Sequence, residues 1–197
     1  MQWSPEVRVL RAPSRMFREL ASAPPVSRAW LARPLLLALL LGTTVSLQAS
    51  GRASARLVVD GMIAFAFVPI FMVAAMAIVY RRRPRQVTFG QALDVFFIGN
   101  APWLVWLIGV DIWRSCLTPA QGSTMVESPF YLLLLSFAAV AVWSTYIDLQ
   151  FFRMFLTGDS GRPGRDLLLV RIISWIGIIG YFAGHEFWEY FALWINV

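Results

Sequence analysis

Long apolar runs broken by short polar connections set the pattern of this chain. Five runs stand out, at about 32–50, 57–80, 90–113, 130–152 and 167–187. A bilayer hydrocarbon core about 30 Å thick needs roughly 20 such residues in a helix. Lipid offers no partner to open backbone groups, so each run is expected to be helical. The first is the weakest, because Leu35 to Leu47 already contains Thr43, Thr44 and Ser46. It reaches spanning length only with Trp30 to Arg33 included, Arg33 snorkelling toward the headgroups. The predicted fold is all-α: a polytopic transmembrane bundle of five helices over residues 32–187. Residues 1–31 form a cytoplasmic basic segment before it, and 188–197 an aromatic tail that lies outside or continues helix five.

Within the N-terminal segment, "SRMFRELA" reads as a short amphipathic helix with Ser14 as N-cap. Met16, Phe17 and Leu20 share one face, and Arg15, Arg18 and Glu19 surround it. A helix this short is marginal in water. It is therefore expected to lie on the inner leaflet as an interfacial element.

Composition agrees with a membrane protein. Hydrophobic residues make up 58% of the chain, charged residues 14%, and the mean hydropathy is +0.64. That lies outside the range of soluble globular domains. All 17 basic residues are arginines. Fourteen fall on one predicted side: Arg8, Arg11, Arg15, Arg18, Arg28, Arg33, the "RRRPRQ" turn, Arg153, Arg162, Arg165 and Arg171. Only Arg52, Arg56 and Arg114 fall on the other. The positive-inside bias places the N-terminus in the cytoplasm and, after five spans, the C-terminus outside. No cleavable signal peptide is expected, since the first thirty residues lack a short apolar core before a cleavage site. The net charge of +6 reads as a topology and anionic-lipid signal, not as nucleic-acid binding. Cys116, the single cysteine, has no intrachain partner for a disulfide.

Polar groups within the runs are costly and make the candidate sites. Asp60 is one helical turn from Arg56. Asp94, Asp148 and Arg171 are expected at one depth near the inner ends of spans three, four and five. There, with Arg153 nearby, they would satisfy one another. Ion-paired helix packing is favoured over an ion pathway. Asn100 and Pro102 sit in the middle of span three. Proline removes a backbone hydrogen bond and frees a carbonyl, which Asn100 could re-satisfy or ignore by bonding to another helix. A packing kink is favoured over the broken helix of a transporter site, because no second interrupted half is evident.

Two motifs look chemical. "GDSGRPG" resembles the nucleophile region of trypsin-like proteases, but in a basic loop its glycines and proline read better as a tight turn. "HEFWEY" resembles half of a zinc-protease helix, yet position 189 is glutamate and His185 is the only histidine. His185 remains a weak candidate as an axial ligand to haem or a chlorin. No metal site and no catalytic pair is expected. Of the tryptophans, Trp30, Trp113, Trp188 and Trp194 fall near predicted interfaces, whereas Trp103, Trp106, Trp143 and Trp175 lie deeper.

The layout resembles the bacterial branch of the Yip-domain membrane proteins, whose eukaryotic members interact with Rab GTPases. The pattern is carried by Pro13, Phe17, Arg18 and Leu20, by Thr88, Phe89, Ala92 and Leu93 at the start of span three, and by Pro102. It covers roughly residues 7–181. The resemblance implies a five-helix bundle with a cytoplasmic N-terminus in the bacterial inner membrane, and little chemistry. The acidic element before span one of many eukaryotic members is missing. The expected function is a non-enzymatic scaffold or accessory subunit of a larger membrane assembly. Its partners would be membrane lipids, including anionic ones, and another integral membrane protein or a second copy of the chain. The alternatives are a small transporter or channel using Asp94, Asp148 and Arg171, and a haem- or chlorin-binding subunit using His185.

Overall fold

The computed structural model describes residues 4–23, 31–50, 52–82, 87–116, 127–156 and 162–195. Every regular element among them is helical. In chain order they are α1 (Pro5–Arg11), α2 (Pro13–Ser22), α3 (Ala32–Ser50), α4 (Ala55–Phe65), α5 (Phe67–Tyr80), α6 (Phe89–Ile98) and α7 (Ala101–Ser115). Then come α8 (Glu127–Phe151), a π turn (Phe152–Leu156) and α9 (Pro163–Ile195).

Among the described residues, two stretches are long and apolar enough to cross a membrane: Ala55–Tyr80, which joins α4 and α5, and Tyr131–Leu156. The bent pair α6–α7 makes a third if taken as one span. Five were expected. Within α3, which runs from Ala32 to Ser50, the apolar stretch Ala32–Thr44 is shorter than a full span. In α9, Arg165 and Asp166 stand in the first turn and Arg171 follows. The backbone of α9 stays helical to Ile195, so the aromatic tail continues the helix that far.

Proline explains both interruptions. Pro69 has no N–H for the carbonyl of Phe65, and its ring crowds that carbonyl. α4 accordingly ends at Phe65, and the turn at Ala66 closes with an Ala66 N–H to Ile63 bond of 3.3 Å. Pro102 does the same to Ile98, the last residue of α6. Gly99 and Asn100 lie between the halves, whose axes differ by 46°. Below the break, α6 starts on a capping box: the Thr88 hydroxyl accepts from the Gln91 N–H, and the Gln91 side chain accepts from the Thr88 N–H.

Two glycines let helices touch closely, as small residues do between membrane helices. A Cβ on Gly42 of α3 would come within 2.4 Å of the Val58 carbonyl of α4. One on Gly177 of α9 would come within 2.6 Å of the Phe71 ring of α5.

At one end of the bundle sits an aromatic core. Phe17, Phe96, Phe97, Phe151 and Phe152 are fully buried there. Phe151 meets Phe17 edge-on at 5.8 Å and stacks with Phe155 at 5.6 Å. Phe17 belongs to α2, so the apolar face of that helix is turned onto the chain itself. Its apolar face, Met16 and Phe17, is covered by α8 and the π turn of the same chain. Ser14 is not its N-cap: the helix begins at Pro13, and Ala12 occupies the cap position. Pro13 fits this first position because the N–H it lacks would have no partner there.

Candidate functional site

The three charges expected to share one depth separate into two centres. In the first, Arg33 of α3 donates to Asp94 of α6 and also to Glu6 of α1, at 3.0 and 3.1 Å. Arg33 therefore does not snorkel away from the bundle; it ties three helices together. Burial pushes the Glu6 carboxyl up, but its backbone hydrogen bond and Arg33 outweigh this and leave it below the usual glutamate value. A second fastening joins the N-terminal helices to each other. Glu19 of α2 accepts from Arg15 at 3.0 Å and from Arg8 of α1, and these bonds lower its pKa.

In the second centre, Arg171 of α9 donates to Asp148 and, at 3.1 Å, to Ser144, both on α8. A Cβ on Gly99 would lie 3.1 Å from Asp148 Oδ1, so Asp148 stands level with the break in span three. Asp94 is five residues before Gly99, about 7 Å along a helix axis. The two centres thus occupy different levels, and Asp94 pairs with Arg33 rather than with Arg171. Arg153 is exposed on the π turn. Asp60 has Arg56 at 3.9 Å, and both are exposed.

The second centre opens on a cavity of about 360 Å³ between the helices. Each wall is one helix face. Phe96, Asn100, Trp103 and Leu107 line it from α6–α7, at spacings of three and four. From α9 come Arg171, Ser174, Trp175 and Ile178, again at helical spacing. Trp103, Trp106 and Phe137 form an aromatic group at the wall, with centroid distances of 5.1–6.0 Å. The Trp106 indole N–H donates to Ser136 at 3.0 Å, which clips α7 to α8.

Asn100 does not re-satisfy the carbonyl freed by Pro102. It is buried, and its Nδ2 has no hydrogen-bond partner among the described residues. The same holds for Ser174 Oγ and for Arg171 Nε. Pro102 itself sits in the first turn of α7, where its missing N–H costs least.

Several of these residues were not singled out in the sequence. Glu6 and Gly99 carry no local signal for their partners, and Ser174 is marked only by standing one turn beyond Arg171. Asp111, buried in α7 beside Thr44 of α3, could have been found as a carboxylate within an apolar run. The side chain of His185 lies outside the described residues, as does most of "GDSGRPG". Among the described residues, no group of three His, Cys, Asp or Glu side chains is placed to hold a metal ion.

The class defined by these features is an all-helical protein with apolar helices of membrane-spanning length and ion pairs packed between them. Compared with known proteins, the chain matches no family model, no curated protein and no solved structure. The likeness to Yip-domain proteins accordingly rests on the residues quoted above.

Proposed function

We propose that this chain is a non-enzymatic scaffold or accessory subunit of a membrane assembly, with α3, α4–α5, α6–α7, α8 and α9 as its five membrane segments. The observation that carries this reading is the outer half of α8. Tyr131, Leu132, Leu134, Leu135 and Phe137 are all exposed, and successive residues of a helix point to different sides. The chain itself covers little of this helix, so another membrane protein or a second copy can pack against it. Trp143 and Tyr146 extend the exposed surface along the helix. Its charges support the same reading, since Arg33 and Arg171 are each paired within the chain and the expected single cluster, which the transporter alternative required, is divided in two.

In this arrangement the end bearing α1 and α2 faces the cytoplasm of a bacterial inner membrane. Arg15 and Arg18 are exposed there, on the side of α2 away from Met16 and Phe17, toward anionic headgroups. The test is purification from the native membrane in mild detergent, with and without Leu135→Trp on the exposed face. A stoichiometric membrane-protein partner or a second copy, lost in the variant, is the expected result. A solitary chain would overturn the reading, and a haem or chlorin absorbance band that vanishes in His185→Ala would replace it with the cofactor alternative.

A further inference from the structure

The geometry points to the cavity beside Asp148 and Arg171 as a binding site for a neutral, lipid-soluble carbonyl compound with a flat ring, the chemistry of a membrane quinone. Three observations converge on this class. The first is hydrogen bonding. Asn100 Nδ2, Arg171 Nε and Ser174 Oγ are buried and lack partners among the described residues, and all three residues line the one cavity. The large majority of buried side-chain polar atoms are paired, because an orphaned one loses its water without replacement. The amide and guanidinium N–H groups can only donate, and the hydroxyl can donate too. The complement to such a wall is an acceptor oxygen.

Charge is the second. Arg171 is already paired with Asp148, so the polar end has no net charge to attract an anion. A carboxylate or phosphate head would meet the Asp148 carboxylate at close range. A carbonyl oxygen takes the hydrogen bonds without that repulsion.

Shape is the third. The remaining walls are apolar and rich in rings, with Trp103, Trp106, Trp175 and Phe137 around the space. Aromatic side chains favour stacked or edge-on contact with another flat ring. The volume, about 360 Å³, falls within the range of about 300–1,000 Å³ typical of small-molecule sites. The site also depends on the break in span three. At the interruption the Gly99 and Asn100 N–H groups bond back to Phe96 and Phe97, Gly99 lies against Asp148, and Asn100 and Asp148 both line the cavity.

The experiment uses the full chain in detergent micelles, titrated with decylubiquinone, with intrinsic tryptophan fluorescence as the readout. Saturable quenching is expected. Asn100→Leu and Ser174→Ala should each weaken the apparent affinity by about tenfold, from the loss of one hydrogen bond to the head. Decylbenzene, which lacks the carbonyls, and palmitate, which carries a charge, should fail to compete. Linear, non-saturating quenching that is equal in wild type and variants would overturn the proposal, since it marks partition into the micelle alone. Equal competition by decylbenzene would overturn it too, by showing that the head is not read, and stronger competition by palmitate would replace it with an anion site. Should Asn100→Leu fail to elute as a folded species, Ser174→Ala decides the matter, because removing one hydroxyl leaves the packing nearly unchanged.

Discussion

Arg33 and Arg171 each meet a buried aspartate on another helix, yet the two pairs have different surroundings. Around Arg33 the guanidinium is shared by two carboxylates, Asp94 and Glu6, one within the bundle and one on the docked α1. Around Arg171 there is one carboxylate and one hydroxyl, while Nε stays unpaired beside two further unpaired groups. The same two kinds of charge therefore do different work. Where every guanidinium nitrogen has a partner, the pair is a fastening that holds an end of the structure shut. Where donors are left over next to an apolar space, the pair anchors a wall that can still form bonds.

Arg171→Leu should have the largest effect. It leaves Asp148 buried without a counter-charge, a loss of about 3–5 kcal/mol by analogy with other broken buried pairs. Denaturation in detergent measures it. Asp148→Leu combined with Arg171→Leu should recover most of the loss; a double variant as unstable as the single one would mean that packing, not charge, is at stake. Arg33→Leu should cost less, about 3 kcal/mol, because Glu6 is one-third exposed and can turn to water. Its distinctive sign is release of the N-terminal helices, read as faster limited proteolysis within residues 5–22. Unchanged cleavage would show that Phe17 and Met16 hold α2 without the ionic clamp.

Gly99→Ala probes the close approach at the second centre. Its Cβ would lie 3.0 Å from the Phe96 carbonyl and 3.1 Å from Asp148 Oδ1, tight enough to cost about 1–2 kcal/mol. Gly180→Ala in α9 is the control: no described residue lies within 4 Å, so it should be neutral or stabilise the helix by up to about 1 kcal/mol. The smallest effect belongs to pH at the first centre. The folded pKa of Glu6 is lowered, so its contribution is fully present above the ordinary value of 4.5 and is lost as pH falls through the lowered one. For so exposed a pair this is worth at most about 1 kcal/mol. Wild type should lose that increment on acidification and Glu6→Gln should not; identical acid profiles would remove Glu6 from the clamp.

Much of the helical layout was legible because apolar runs have few other solutions in lipid. All five expected runs correspond to helical elements, and the break before Pro102 follows from the missing N–H. Pro69 carries the same chemistry, and the break at Ala66 was equally available to a reader of the sequence. Partners were harder. Amphipathicity in "SRMFRELA" shows that something apolar covers Met16 and Phe17, but a lipid surface and the chain's own α8 satisfy the pattern equally. Arg33 reads as a headgroup residue because it stands at the end of an apolar run, and its partners Glu6 and Asp94, 27 and 61 residues away, give no local sign of the pairing. The cavity left no trace, since its walls come from several helices and no single run reveals what their faces enclose.

The order of synthesis gives that separation a further meaning. Arg33 emerges with the first apolar run, well before Asp94 has been made, and in that interval Glu6 is the acidic partner already present. In the finished structure a residue of the third run therefore holds the start of the first, and through Arg33 it also holds α1. The seat of the earlier helices is completed by a contact that only the later sequence supplies.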